Sequence, residues 1–187
     1  MVKINTCVFI SGKGSNLRRI ILNSQKYNFP IKIKLIVCNN KNAEGLKLAK
    51  KWSIPSFILN NRQSLSEKKI LIKLKAYKID LILLAGYMKI LSKRFIRTFG
   101  KSIINIHPSL LPKFKGLNTF ERILNKKERK SGCTVHYVNE KLDGGKKIVQ
   151  KCFFIKKDDD VKILKDKTQK LEHKAFSEAI IKIYRYN

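Results

Sequence analysis

The chain has 187 residues, 43% hydrophobic and 29% charged, and 42 basic against 13 acidic residues give it a formal net charge of +29. That length suits one domain whose core needs no metal or disulfide, and the longest apolar stretch, LILLAGYM at 81–88, is too short to cross a bilayer. With Met1–Ile10 too soon broken by Gly12 for a signal peptide, a soluble cytoplasmic protein is expected.

In chain order, TCVFIS (6–11) reads as a short strand ending in a glycine turn. SNLRRIILNSQ (15–25) follows as a helix with Leu17, Ile20, Ile21 and Ser24 on one face. IKIKLIVC (31–38) is a strand, AEGLKLAKKW (43–52) a helix before Pro55, and SFIL (56–59) a short strand. SEKKILIKLKAY (66–77) predicts an amphipathic helix with Ser66 as N-cap. IDLILLAG (79–86) is a buried strand, SKRFIRTF (92–99) a helix capped by Ser92 and stopped by Gly100, and SIINI (102–106) the next strand. Strand starts about every 25 residues suit βαβ units, hence an open, mostly parallel α/β sheet with helices on both faces.

The pattern then changes. LNTFERILNKK (117–127) reads as a helix, and CTVHYVN (133–139) and KIVQKCFFI (147–155) as strands. Their loop is too short for a crossover, so an antiparallel pair is expected. The last helix starts near Asp158, where Asp158, Asp159 and Asp160 favour a helix N-terminus. Val161, Leu164, Thr168, Leu171 and Ala175 form its buried stripe. One domain spans 1–187, with a nucleotide-binding half (1–100) and a catalytic half (101–187).

The charge has two readings. One is a nucleic-acid binder. The other is a lysine-, asparagine- and isoleucine-rich composition, favoured here because the lysines are scattered along the whole chain. No specific nucleic acid and no membrane is expected as partner. The four cysteines form no C-x-x-C pair, and Cys7, Cys38 and Cys133 sit in apolar stretches as reduced core residues. His107, His136 and His173 lack metal-ligand spacing, so no metal is expected.

Two features carry chemistry. In SGKGSN (11–16), Gly12 and Gly14 allow positive φ and close backbone approach to a ligand. The free N–H groups of the following helix make a ready anion site, with Ser15 and Asn16 as added donors. The turn is equally well read as a strand-to-helix junction capped by Ser15. In NIHPSLLP (105–112), Asn105 and Asp-seeking His107 are two apart on a strand, so both leave on one side, and Pro108 ends the strand. Together they form a donor pair suited to an oxyanion. Asp143, in LDGG (142–145), is the carboxylate that would orient His107 and raise its proton affinity. Each also reads as an ordinary strand-end or turn residue.

VFISGKGSNL, VCNNKNAEGLKLAKKWSIP, LILLAGYMKILS, NIHPSLLPKFKGL, GCTVHYV and LDGG occur in one order along nearly the whole chain. In that order they resemble the folate-dependent phosphoribosylglycinamide formyltransferase family. The resemblance implies a Rossmann-like fold and formyl transfer from 10-formyltetrahydrofolate to the amine of glycinamide ribonucleotide. It implies Asn105, His107 and Asp143 as the catalytic trio, and Gly12, Lys13, Gly14, Ser15 and Asn16 as the phosphate site. Met88, Lys89, Ile90 and Leu91, with Asn139, Glu140, Lys141 and Leu142, would line the folate pocket, and Arg62 would meet the glutamate tail. Glu172, with Gln169, would contact the ribonucleotide. Lys13 and Lys115 depart from residues common in the family. The small-molecule substrates are the expected partners, with the chain a monomer or homodimer.

Two folate-dependent rivals, methionyl-tRNA formyltransferase and formyltetrahydrofolate hydrolase, are disfavoured because each is expected to carry a further domain. A basic nucleic-acid-binding module has no use for the glycine turn, the Asn-x-His pair and the Asp-Gly-Gly loop together.

Overall fold

A computed structural model describes residues 3–59 and 63–184 of the chain. The chain forms two compact units, Met1–Ile104 and Asn105–Asn187. The fold class is α/β: mostly parallel strands with an antiparallel element in the C-terminal half.

In the first unit, strands β1 (Ile4–Ile10), β2 (Ile31–Cys38), β3 (Ser56–Ile58) and β4 (Leu81–Leu84) alternate with helices α1 (Ser15–Ser24), α2 (Gly45–Lys51), α3 (Gln63–Ala76) and α4 (Lys93–Phe99). The strand order is β3-β2-β1-β4, all parallel, with Val8 of β1 registered against both Ile36 and Leu83. A central parallel strand is covered on both faces, so it must be apolar throughout. Accordingly Thr6 to Ile10 and Leu81 to Leu84 are buried without a break. α1 packs on α2, and α3 on α4. The predicted face of α1 is the buried one: Leu17, Ile20, Ile21 and Ser24.

β5 (Ser102–His107) runs across the division between the units. The second unit continues with α5 (Thr119–Asn125), β6 (Lys130–Tyr137), β7 (Lys147–Phe154) and α6 (Val161–Tyr184). β6 and β7 are antiparallel, Val135 opposite Val149, with a register shift between Val135 and His136. α6 packs across both.

Three local expectations change. α3 starts at Gln63, so Ser66 is a buried residue inside the helix and not its cap. α6 starts at Val161, not near Asp158. Asp160 is the capping residue, its Oδ1 accepting the N–H of Ile163 over 2.7 Å, while Asp159, in the preceding loop, accepts from Lys156 N–H and from Lys167 Nζ of the helix itself. Within the predicted stripe, Leu164, Thr168 and Ala175 are buried and Val161 and Leu171 half-buried. The Ser92 cap holds: its hydroxyl accepts from Phe95 N–H over 3.0 Å, and Gly100 ends α4 at φ +61°.

Cys7, Cys38 and Cys133 are buried free thiols and Cys152 an exposed one. Among the described residues, no helix is long and apolar enough to cross a membrane, and no His/Cys/Asp/Glu group could hold a metal.

Candidate active site

The glycine turn lies in the first unit, between β1 and α1. Its cap differs from expectation. Gly14, at φ +76°, is the N-cap of α1, and no side chain caps the helix; Ser15 is its first residue. Gly14 is glycine for two reasons. Its φ is left-handed, and a Cβ there would fall 2.8 Å from Gly45 Cα. Gly45 N–H donates to Gly12 O over 3.1 Å, which fixes the turn against the start of α2. Gly12 is the opposite case: nothing lies within 4 Å of where its Cβ would be. Ser11 anchors the strand end, its Oγ accepting the N–H of Met88 over 2.8 Å and its carbonyl accepting from Asn40 Nδ2 over 3.3 Å. Lys13 is exposed, while Asn16 is buried. The result is a rigid backbone loop with open space over Gly12 at the start of a ten-residue helix.

Asn105, His107 and Asp143 all lie in the second unit and meet there. The carboxylate of Asp143 is the hub. Its Oδ2 accepts the N–H of Gly116 over 2.9 Å and lies 3.4 Å from His107 Nδ1. Its Oδ1 lies 3.5 Å from Asn105 Nδ2 and 3.6 Å from His136 Nε2. Asp143 itself takes the left-handed conformation, φ +46°. The two glycines after it supply room and not φ: a Cβ on Gly145 would fall 1.7 Å from Tyr137 O.

Both members of the expected donor pair have partners inside the protein. His107 is 6% exposed, and its Nε2 sits 2.8 Å from the carbonyl oxygen of Phe114. A carbonyl only accepts, so Nε2 carries the hydrogen. His136 Nδ1 likewise donates to Tyr137 O over 2.8 Å, and its Nε2 faces both Asn105 and Asp143. Asn105 Nδ2 lies 3.3 Å from His136 Nε2 and donates to Asp143 Oδ1 over 3.5 Å. His136 was not among the residues expected at the site. Its signal in the sequence was an imidazole inside the otherwise apolar strand CTVHYV.

Burial pushes the His107 pKa down, below its ordinary 6.5; the Phe114 carbonyl and Asp143 push it up, and His136 and Arg122 add to the fall. Asp143 raises the proton affinity of His107 as expected, but burial outweighs it. For Asp143, burial pulls the pKa up, but His136, the Gly116 N–H and His107 hold it below its ordinary 3.8. The pair therefore sits as a carboxylate facing a neutral imidazole near neutral pH.

A buried network sets the loop between β5 and α5. Thr134 Oγ1 donates to Ser109 O over 2.6 Å and accepts from Leu111 N–H over 3.0 Å and Gln150 Nε2 over 2.8 Å. Gln150 Nε2 also reaches Leu111 O over 3.0 Å, and Ser109 Oγ donates to Lys113 O over 2.7 Å. The same loop presents Phe114 O to His107 and Gly116 N–H to Asp143.

The remaining expected residues fall as follows. Met88 and Ile90 are exposed, Lys89 is half-buried and Leu91 is buried. Asn139, Glu140, Lys141 and Leu142 are exposed, and Asn139 Oδ1 accepts Lys141 N–H over 3.0 Å. Gln169 and Glu172 are half-buried on α6, and Glu172 is close enough to Cys133 to help burial push that thiol up to about 12. Arg62 lies outside the described residues.

The formyl transferase family profile matches residues 4–180. A phosphoribosylglycinamide formyltransferase from Haemophilus influenzae is 39% identical over 90% of this chain and 82% of its own. The trifunctional purine biosynthetic protein adenosine-3 of Gallus gallus is 37% identical over 95% of this chain, which spans only 18% of that protein's length. The crystal structure of phosphoribosylglycinamide formyltransferase from Anaplasma phagocytophilum superposes with a TM-score of 0.92 at 34% identity, over 98% of this chain and 88% of that one. The chain belongs to the formyl transferase family, on the branch of the phosphoribosylglycinamide formyltransferases.

Proposed function

We propose that the chain transfers the formyl group of 10-formyltetrahydrofolate to the amine of 5'-phosphoribosylglycinamide, giving N-formylglycinamide ribonucleotide in de novo purine biosynthesis. The observation that carries this reading is the convergence of Asn105, His107 and Asp143 in a chain of this family. Formyl transfer needs a donor for the oxyanion formed when the amine adds to the formyl carbon, and a route for the amine proton to the folate nitrogen as the old C–N bond breaks. The amide of Asn105 and the Nε2–H of His107 are the donors. Nε2–H reaches the formyl oxygen by exchanging the Phe114 carbonyl for it, and the Asn105 amide by giving up its long 3.5 Å contact with Asp143 Oδ1, so in each case one acceptor replaces another. Asp143 keeps the imidazole oriented and stabilises positive charge on it; the proton moves through this pair or a water beside it. Holding amine and formyl carbon in line supplies much of the remaining acceleration.

The backbone of Gly12, Lys13, Gly14, Ser15 and Asn16 holds the ribonucleotide phosphate in this reading. Glu172 and Gln169 contact the rest of it. Met88, Lys89, Ile90, Leu91 and the 139–142 loop line the folate, with Arg62 at its glutamate tail. The enzyme works on small molecules in the cytoplasm, as a monomer or homodimer. The test is a formyl-transfer assay offering purified protein glycinamide ribonucleotide and initiator methionyl-tRNA separately. Turnover of the first alone is expected; turnover of the second alone would overturn the reading.

A further inference from the structure

The lysines are scattered along the chain, but the basic run at 126–130 lines one groove in the second unit. The cavity has a volume of about 710 Å³ and is lined from three separate segments: the loop after β5, the end of α5 running into β6, and the end of β7. That size lies within the usual range for ligand sites, about 300 to 1,000 Å³. Lys126, Lys127, Arg129 and Lys130 line it, all exposed. Its only lining carboxylate among the described residues, Glu128, is already spent on Lys113, with oxygens 2.8 and 3.0 Å from Nζ. Lys126, Lys127, Arg129 and Lys130 therefore keep a strong positive field over the groove.

Two aromatic rings stand in the same groove. Phe154 is 71% exposed, an uncommon cost for a phenylalanine on a strand, and Lys130 Nζ lies 4.7 Å from its ring centroid. Phe114 is the other, with Arg122 over its ring at 5.6 Å. A third observation is independent of charge and rings. Ser131 lines the groove at 1% exposure, and its hydroxyl has no hydrogen-bond partner among the described residues. A buried hydroxyl left unpaired is costly, so it points to a missing acceptor.

Basic side chains beside one exposed ring, Phe154, and one half-buried ring, Phe114, suit a single-stranded nucleic acid, which needs cations for phosphates and flat faces for bases. We propose that this groove binds single-stranded nucleic acid without sequence preference, the Ser131 hydroxyl donating to a phosphate or sugar oxygen. An acidic peptide would use the cations but not the rings. None of Lys126, Lys127, Arg129, Phe154 and Ser131 belongs to the formyl-transfer machinery, so the proposal stands apart from that reading.

The test is fluorescence anisotropy with a labelled uridine dodecamer across a salt series. A protein of charge +29 attracts any polyanion, so a charge-matched control is needed. The groove variant is Lys126→Glu/Lys127→Glu/Arg129→Glu; the control is Lys50→Glu/Lys51→Glu/Lys69→Glu, three exposed residues of the first unit. The groove variant is expected to bind about tenfold more weakly than the control, with its log–log salt slope smaller by roughly 2. Phe154→Ser, which leaves charge unchanged, is expected to lose roughly fivefold or more. Ser131→Ala is expected to lose affinity without a lower melting temperature. Melting curves confirm that each variant folds; if the groove triple does not, Phe154→Ser decides alone. Equal losses in groove and control variants, or unchanged binding by Phe154→Ser, overturns the proposal. Competition by uridine monophosphate at the dodecamer's own concentration also overturns it, since a site for one nucleotide is not a strand-binding groove.

Discussion

The carbonyl oxygen of Phe114 accepts a hydrogen bond from the Nε2–H of His107 over 2.8 Å. That bond fixes the tautomer, because the ring's other nitrogen then faces Asp143 Oδ2 at 3.4 Å without a hydrogen of its own. The imidazole is thus held with one donor that a ligand carbonyl can claim, and one nitrogen that a proton can fill to give an ion pair. The ring is 6% exposed, so this arrangement is preorganised away from bulk water.

The first prediction concerns that pair. His107→Ala removes the donor, and Asp143→Asn removes the charge that stabilises the imidazolium while keeping the shape. Each is expected to lower kcat by roughly a hundred- to ten-thousand-fold. Circular dichroism should be unchanged. Near-wild-type turnover by either variant would remove the catalytic roles assigned here.

The second prediction concerns pH. Burial lowers the His107 pKa below 6.5, so its neutral form is favoured in the fold. The sign follows: as pH falls below the ordinary histidine value, the unfolded chain takes up a proton that the folded His107 resists, and stability drops. Asp143, with a depressed pKa, acts at lower pH; its stabilisation is complete above 3.8 and is lost as pH falls through its folded value. Histidine ring NMR should show His107 titrating below 6.5. In Asp143→Asn it should titrate lower still, because the one attractive charge is gone. A His107 midpoint above 6.5, or a rise in that variant, would contradict the geometry.

Much of this was legible from local rules. The Ser92 cap, the Gly100 stop and all of β2 came out where short-range stereochemistry puts them, because those signals act within a few residues. Asn105, His107 and Asp143 were legible only jointly, through the resemblance. What was missed depends on contacts across the chain. The Ser15 cap failed because Gly14 is wedged against Gly45, thirty-one residues away. The internal partners of Asn105 and His107 were not legible, because they are the Phe114 carbonyl and the ring of His136 from β6, and the Asp143 they share is itself held by the Gly116 N–H. Backbone carbonyls and amides leave no trace in a sequence. The groove near Phe154 was hidden for a related reason: its lysines come from one run, but its rings come from two distant ones.

The third prediction separates the two glycines of the turn. Gly14→Val is not a clean test of phosphate binding, since φ +76° and the Gly45 contact at 2.8 Å make it a folding variant. It should destabilise the protein by roughly 2 kcal/mol or more. Gly12→Ala places its methyl in open space, so the melting temperature should stay within about a degree or two. If a phosphate occupies that space, the KM for glycinamide ribonucleotide should rise roughly tenfold, with folate KM unchanged. An unaltered ribonucleotide KM would move the phosphate away from Gly12.

The fourth prediction concerns Thr134, which touches none of the trio. Its hydroxyl is fully buried and makes three hydrogen bonds, to Ser109 O, Leu111 N–H and Gln150 Nε2. Those partners set the loop that brings Phe114 O to His107 and Gly116 N–H to Asp143. Thr134→Val keeps volume and strand preference but strands a buried N–H and a buried carbonyl, at about 1–3 kcal/mol for each left unpaired. Stability should fall by roughly 2 kcal/mol or more. If the loop positions the imidazole, kcat should fall as well while both KM values hold, and the His107 midpoint should shift. Thr134→Ser, which keeps the hydroxyl, should recover turnover and midpoint together. A valine variant that loses stability alone, with kcat and the His107 titration unchanged, would show that the network braces the fold without reaching the chemistry.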